Sequence, residues 1–173
     1  ECEVNVPGLM NFLIFMVGHS LDDIHLYGGN PAKLILVKAL FQYVTAMQHT
    51  ITNAFKPYPQ FLAPTEFAHV KELVKGVIGY GVKMGEGWLL TAEMLELAEC
   101  GFENIICAQP FGCLPNHIVG KGMVHKLKQV DPNSNIVPID YDPSATKVNQ
   151  ENRIKLMLAV ARENLKKKYP DAE

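Results

Sequence analysis

The sequence predicts one α/β domain that is rich in helices and built in three layers, and three observations support this. The chain has 173 residues, the length of a single domain, and 48% of them are hydrophobic, which is enough to form a core. Two short apolar segments, residues 104–108 and 135–140, have the composition of buried parallel strands. A helical pattern follows each of them, and strand–helix–strand–helix is the order of a right-handed βαβ unit.

The spacing of apolar residues predicts the helices, and local signals predict their ends. Pro31 suits the first turn of a helix, Thr65 is expected to cap another, and Gly101 is expected to stop a third. A further helix separates the two strands and the last one follows the second strand. The predicted helices cover residues 31–55, 65–77, 88–99, 115–129 and 146–168.

Residues 1–30 form a poorly defined N-terminal segment. The apolar run at residues 9–17 fits either a buried strand or the end of a helix, because periodicity does not decide so short a run. A hydrocarbon core needs about 20 apolar residues, so this run does not predict a membrane span. It also lacks the basic region that opens a signal peptide. The chain begins with Glu1 rather than Met, so we expect it to be an excerpt of a longer multidomain protein.

Charge and cysteine content narrow the class of protein. Lys and Arg number 16 and Asp and Glu number 18, giving a formal charge of −2. A nucleic-acid-binding domain is expected to have a pI above about 9, so no nucleic-acid partner is expected. The four cysteines, Cys2, Cys100, Cys107 and Cys113, form no Cys-x-x-Cys pair. We expect reduced thiols in a cytoplasmic protein.

Cys113 has the surroundings best suited to chemistry. It precedes a predicted helix, whose free N–H groups and dipole favour a thiolate, and Gly112 lets the chain turn tightly there. The thiolate could be a metal ligand, a redox thiol, or a nucleophile with His117 as its base. The alternative is a buried cysteine that fills a turn. Cys107 lies in the middle of a predicted strand, where a purely packing role is expected.

Other polar positions are weaker candidates. Asn116 could orient a ligand or satisfy the loop backbone, and His117 could serve as a helix cap or in packing. Gly87 belongs to a glycine-rich turn before a predicted helix, a context that suits phosphate, although the turn lacks the P-loop pattern. Asp140 and Asp142 at a strand end could bind a metal or a hydroxyl, or simply form a turn.

Several motifs, taken together and in order, resemble one family. They are Gly-Glu-Gly-Trp-Leu at residues 85–89, Gln-Pro-Phe-Gly-Cys-Leu-Pro-Asn-His-Ile-Val-Gly-Lys-Gly at 109–122, Asp-Tyr-Asp at 140–142, and Val-Asn-Gln-Glu-Asn-Arg-Ile at 148–154. The chain here resembles the C-terminal part of the large acyl-CoA dehydratase activase-related proteins of anaerobic bacteria. That group is similar to 2-hydroxyacyl-CoA dehydratases, such as 2-hydroxyglutaryl-CoA dehydratase, and to benzoyl-CoA reductase-type subunits. Residues 1–80 carry no such similarity.

The resemblance implies a fold and a cofactor. Proteins of this group have Rossmann- or flavodoxin-like three-layer domains, and cysteines from more than one domain bind an iron–sulfur cluster. Cys113 matches the cysteine of the C-terminal domain, so the resemblance implies that it is a metal ligand. Gly112 and Gly120 would allow close approach, and Asn116 and His117 would lie behind the ligand. The cofactor-binding candidates are Cys113, Gly112, Asn116, His117 and Gly87.

The resemblance also implies a role and partners. In such proteins an ATP-hydrolysing activase passes an electron to the cluster, which supports reduction or dehydration of an acyl-CoA. This chain lacks the nucleotide-binding domains of an activase, so ATP hydrolysis is not assigned to it. We expect the chain alone to be inactive and to retain no cluster, with other domains of the parent as its partners and a homodimer as an open question. The alternative is a cofactor-free structural or docking domain.

Overall fold

A computed structural model describes residues 2–141 and 147–170 of the chain. Within these ranges the chain forms six α-helices and one two-stranded parallel sheet, so the mixed α/β class is confirmed. Two compact units divide between Glu96 and Leu97, and we call them the N-terminal and C-terminal units. The single domain over residues 1–173 stays a prediction. Among the described helices, none is long and apolar enough to cross a membrane.

The N-terminal unit begins with a hairpin of two long helices. Helix α1 spans Leu9–Tyr27 and helix α2 spans Pro31–Phe55, as predicted for α2. The apolar run at residues 9–17 is therefore helical, because it continues into a longer segment whose buried side chains recur at helical spacing. At the start of α2 the Asn30 side chain accepts a hydrogen bond of 2.8 Å from the Ala32 N–H.

Helix α3, Phe67–Leu73, is shorter than predicted and has a different start. Thr65 is not its cap; the capping position belongs to Glu66, whose side chain makes no capping bond. The buried amide of Gln48 in α2 takes over this task, since its Oε1 accepts a hydrogen bond of 3.1 Å from the Phe67 N–H. Its Nε2 donates to Asn11 Oδ1 at 2.7 Å. A side chain distant in sequence thus replaces the local cap.

An aromatic cluster fills the core of the N-terminal unit. Helix α4 spans Trp88–Glu99, as predicted, and the Trp88 side chain is fully buried. The centroid of its ring lies 5.2 Å from that of Phe15, 5.4 Å from that of Tyr80 and 5.8 Å from that of Phe67. The Lys71 ammonium lies 4.6 Å from the centroid of the Tyr80 ring. One tryptophan therefore joins three separate segments of this unit.

The C-terminal unit contains the predicted βαβ order. Strand β1, Asn104–Pro110, pairs in parallel with strand β2, Asn135–Tyr141, and Gln109 lies opposite Asp140 in the register. Helix α6, Lys147–Lys168, packs on β2, and the Asn135 amide donates to the Met157 carbonyl oxygen at 3.1 Å. The predicted strands and the last helix are thus present.

The crossover between the strands is not the uniform helix that the sequence predicts. It contains a π-helical segment at Asn116–Gly120, a 3-10 turn at Lys121–Met123 and helix α5 at Val124–Val130. The Lys121 N–H donates to the Asn116 carbonyl oxygen five residues back, which is π spacing. The Gln109 amide donates to the same oxygen at 3.0 Å. A side chain of β1 therefore contacts the irregular turn.

Strand β1 is buried on one face only, whereas the sequence predicts burial on both. Ile105, Cys107 and Gln109 are buried and the residues between them are exposed, so burial alternates along the strand. In the described part of the chain the covered side of the sheet is the one with Cys107, and the face with Ile106 and Ala108 is exposed. The predicted burial of Cys107 is confirmed.

Candidate functional site

The candidate site lies where β1 ends and the crossover begins. Cys113 is half-buried there, and its N–H donates to the Pro110 carbonyl oxygen at 3.2 Å. Gly112 has φ of +71°, a backbone conformation that favours glycine. Among the described residues, a Cβ on Gly112 would have no atom within 4 Å, so the backbone angle is what explains this glycine.

Asn116 is the side chain that reaches the Cys113 sulfur. It is 5% exposed, and its Nδ2 donates to Cys113 Sγ at 3.0 Å. Gln109, which is fully buried, donates from Nε2 to the Asn116 carbonyl oxygen at 3.0 Å. A hydrogen bond to sulfur stabilises negative charge on it and affects the potential of any cluster bound there. Gln109 and Asn116 therefore hold the sulfur in place from the interior side.

His117 contacts Cys113 through the backbone. Its N–H donates to the Cys113 carbonyl oxygen at 3.1 Å, a bond that closes the first turn of the crossover. A nucleophile and its base need side-chain atoms within about 2.6–3.2 Å of each other. Among the side chains that the structure describes, the hydrogen bond to Cys113 Sγ comes from Asn116. The geometry thus gives the Cys113–His117 nucleophile hypothesis no support.

Two residues that the sequence analysis did not single out as a pair meet beside the candidate site. Gln109 and Asp140 occupy facing positions of β1 and β2. Within residues 2–141 and 147–170, Gln109 Oε1 and Asp140 Oδ1 are buried without a hydrogen-bond partner. The alternation of β1 could have placed Gln109 inside with Cys107, since residues two apart share a face of a strand. Asp142, the other acidic candidate, lies outside the described residues.

Cys107 is a less reactive thiol than Cys113. Burial raises the pKa of the Cys107 thiol; a hydrogen bond from Gln109 partly opposes this, and the nearby Asp140 carboxylate adds a smaller increase. A thiol reacts as its thiolate, so a raised pKa and a buried sulfur both slow its reactions. Cys107 therefore supports the packing of β1, and Cys113 is the accessible thiol at the strand end.

Gly87 belongs to the N-terminal unit, and contacts within its own turn explain it. Its φ is +50°, and a Cβ there would lie 2.4 Å from the Val82 carbonyl oxygen. The N–H groups of Gly87 and Trp88 donate to the carbonyl oxygens of Met84 and Val82 at 3.0 and 2.7 Å. These N–H groups are thus engaged within the chain, whereas a phosphate-binding turn would present them to an anion. The cofactor-binding role of Gly87 stays a prediction.

The donor set fits one cluster ligand rather than a complete cluster. The four cysteines are not in disulfide bonds, and Cys2 and Cys100 are exposed. In the described ranges no group of three or more His, Cys, Asp or Glu side chains is placed to hold a metal ion. Iron–sulfur clusters are commonly held by four thiolates. Within residues 2–141 and 147–170 the side chains thus form no complete cluster site, and a ligand role for Cys113 stays a prediction.

Comparisons with known proteins identify no relative of this chain. No family model, curated protein or solved structure matches the chain. Cys113, with the amides of Asn116 and Gln109 behind it, is the feature of this chain that bears on function.

We expect the cysteines of the folded chain to differ in alkylation rate. Cys113 should react with iodoacetamide at least about tenfold faster than Cys107, because Cys107 is buried and has a raised pKa. After short exposures, tandem mass spectrometry would locate the label within the tryptic peptide of residues 84–121, which contains both cysteines and the exposed Cys100 as a reference, and would measure each rate. Equal rates for Cys107 and Cys113 in the folded chain would contradict this assignment. In denaturant, Cys107 and Cys113 should be alkylated at similar rates.

Proposed function

We propose that this chain is the C-terminal α/β domain of an iron–sulfur protein related to 2-hydroxyacyl-CoA dehydratases and their activases. In this proposal Cys113 supplies one ligand to a cluster shared with other domains of the parent protein. The observation that carries the proposal is the environment of Cys113 Sγ, which is half-buried at the end of a parallel strand and accepts a hydrogen bond of 3.0 Å from Asn116. When bound, the cluster would supply a low-potential electron for acyl-CoA reduction or dehydration.

Three features of the site are consistent with a ligand role. Ligands of α/β proteins are commonly bound at the carboxyl ends of parallel strands, and Cys113 follows such an end. The Asn116 amide would help to offset negative charge on a cluster thiolate. Gln109 fixes the backbone of Asn116, so the donor is held in place before the cluster binds. His117, one residue further, would lie behind the ligand.

The finer fold, the location and the partners belong to the same proposal. The parallel pairing of β1 and β2 across a helical crossover supports a Rossmann- or flavodoxin-like three-layer fold. Cysteines that form no disulfide bonds in the described residues are consistent with a cytoplasmic location. The partners would be other domains of the parent, an ATP-dependent activase and an acyl-CoA. ATP hydrolysis is assigned to the activase and not to this chain.

Replacement of Cys113 by serine in the intact parent should remove most of the bound iron. Serine keeps the size of the side chain but lacks the thiolate, so one corner of the cluster would lose its ligand. Iron and acid-labile sulfide per chain, measured on protein purified without oxygen, test this directly. The matched control is Cys100→Ser, which changes an exposed cysteine after α4 and should leave the iron content unchanged.

Circular dichroism would show whether the Cys113→Ser parent keeps its fold. A folded variant with full iron and sulfide would overturn the ligand assignment and favour the cofactor-free docking domain. Loss of iron in the Cys113→Ser variant alone, with the Cys100→Ser control intact, would support it.

A further inference from the structure

Two oxygen atoms at the carboxyl end of the sheet are buried without a donor. Gln109 is fully buried, and its Oε1 has no hydrogen-bond partner within residues 2–141 and 147–170. The same holds for Oδ1 of Asp140, a residue that is half-buried as a whole. Buried polar atoms in proteins are nearly always bonded, so two unbonded acceptors require an explanation.

The two oxygens belong to facing residues on the covered side of the sheet. Gln109 of β1 lies opposite Asp140 of β2 in the register, and neighbouring strands are about 4.8 Å apart. Both side chains also act on Cys107, two residues before Gln109. Burial raises the pKa of the Cys107 thiol, a hydrogen bond from Gln109 opposes this, and the Asp140 carboxylate adds to the increase. The three side chains therefore lie close together.

Contacts on either side hold both residues in place. Gln109 Nε2 donates to the Asn116 carbonyl oxygen at 3.0 Å, and this bond determines which end of the amide faces the crossover. The reversed amide would set Oε1 against a carbonyl oxygen, so Oε1 has to face away from Asn116. On β2, the Gln150 side chain donates to the Asp140 carbonyl oxygen at 3.3 Å, which ties this strand end to α6.

The charge of Asp140 decides what kind of group suits the two oxygens. A water molecule can donate to both of them, but it does not compensate a carboxylate charge. Buried charges in proteins are paired or coordinate metal ions. The Arg153 guanidinium of α6 donates to the Pro138 carbonyl oxygen at 3.1 Å, two residues before Asp140. A cation between Gln109 Oε1 and Asp140 Oδ1 would satisfy both oxygens and the charge.

The donor atoms select the class of cation. Carboxylate and amide oxygens are ligands of hard cations such as Mg²⁺. Calcium takes six to eight oxygen ligands, whereas Mg²⁺ usually keeps several waters and uses one or two carboxylates. Because Asp140 is half-buried, water can reach its side of the site. The carboxyl ends of parallel strands are also where α/β proteins commonly bind ligands.

We propose that Gln109 Oε1 and Asp140 Oδ1 bind a hydrated Mg²⁺ ion. The ion takes one ligand from each strand and so joins the carboxyl ends of β1 and β2. In this arrangement both ends of the Gln109 amide are used, since Nε2 holds Asn116 and Oε1 holds the ion. The ligands are oxygen atoms, so this inference does not depend on Cys113 or on a cluster.

Electron paramagnetic resonance of the whole chain with Mn²⁺ tests the site, because Mn²⁺ takes the same oxygen ligands as Mg²⁺. The wild type should bind one Mn²⁺ and weaken the signal of the free ion, and excess Mg²⁺ should restore that signal. Asp140→Asn should raise the dissociation constant at least about tenfold, because it removes the ligand charge. Gln109→Met keeps the side-chain length but removes Oε1, and should raise it at least about threefold.

Two further variants are the controls. Glu163→Gln changes a carboxylate that pairs with Lys167 and lies about 20 Å along α6 from Gln150, so Mn²⁺ binding should not change. Cys113→Ser should also leave Mn²⁺ binding unchanged, which separates this site from the proposed cluster. Loss of Mn²⁺ binding in Cys113→Ser would assign the ion to the thiol and overturn the proposal.

Stability measurements separate loss of the site from loss of the fold. Without metal, Asp140→Asn should be at least as stable as the wild type, because its new amide N–H can donate to Gln109 Oε1. Excess Mg²⁺ should raise the melting temperature of the wild type by about 2–4 °C and leave that of Asp140→Asn unchanged. If the Asp140→Asn chain does not fold, Gln109→Met decides by the same measurements.

Each outcome of the Mn²⁺ titration decides the proposal. A wild-type chain that leaves the Mn²⁺ signal unchanged overturns it. So does binding that survives both Asp140→Asn and Gln109→Met, or binding that Glu163→Gln weakens equally. Loss of binding in the two site variants alone, with the fold retained, supports it.

Discussion

Trp88→Ala is expected to lower the free energy of unfolding by about 3–5 kcal/mol. The Trp88 side chain is fully buried and its ring contacts those of Phe15, Phe67 and Tyr80. Alanine would lose the transfer free energy of the indole and leave a cavity that the three remaining rings fill only in part. It would also remove aromatic contacts that each contribute about 0.5–1.5 kcal/mol beyond the buried area.

Urea denaturation followed by far-UV circular dichroism would measure this loss, since the variant lacks the chain's single tryptophan for fluorescence. Tyr58→Ala is the control, because Tyr58 is an exposed aromatic residue and its replacement should cost less than about 0.5 kcal/mol. If the Trp88→Ala chain does not fold, Trp88→Phe gives a second test. It should lower the free energy of unfolding by less than Trp88→Ala. Equal stability of the Trp88→Phe variant and the wild type would contradict the central role of this ring.

Glu93→Gln is expected to stabilise the chain at neutral and higher pH. Burial raises the pKa of Glu93 from 4.5 to about 7, and the carboxylates of Glu96 and Glu86 contribute to the increase. At a pH between these two pKa values, Glu93 keeps its proton in the folded chain and releases it in the unfolded chain. The stability of the wild type therefore falls as pH rises from about 4.5 to about 7, by an amount on the order of 3 kcal/mol. Glutamine does not ionise and avoids this loss.

The test compares the free energy of unfolding of both chains at about pH 5 and about pH 8. Glu93→Gln should be nearly neutral at the lower pH and stabilising by up to about 3 kcal/mol at the higher one. Glu163→Gln is the control, because Lys167 lowers the pKa of Glu163 and no gain with rising pH is expected. A pH-independent effect of Glu93→Gln would show that Glu93 is ionised in the folded chain throughout this range.

Much of the secondary structure could be predicted because its signals are local. Pro31 and the spacing of apolar residues predict α2 with the bounds that the structure has. Gly101, with φ of +90°, ends the α4 segment as expected. The apolar segments of β1 and β2 and the helical pattern between them predict the parallel pairing. In each case the information lies within a few neighbouring residues.

The candidate site was predictable in position but not in its contacts. A cysteine that follows a strand and a glycine is visible in the sequence, so Cys113 could be selected before the structure was known. Which neighbour reaches its sulfur could not be selected, since Asn116 and His117 both lie within one turn. The side chain of Asn116 makes that bond, and Gln109 supports Asn116 from the strand.

The sequence by itself determined where α2, α4, α6 and the two strands lie, and which thiol follows the end of a strand. Only the tertiary structure decided that Gln48 replaces Thr65 at the start of α3, that the crossover begins with a π-helical turn, and that β1 is covered on one face. The physical reason is distance along the chain. A helix or a turn depends on residues a few positions apart, whereas Gln48 and Asn11 are 37 residues apart and meet only when the chain has folded.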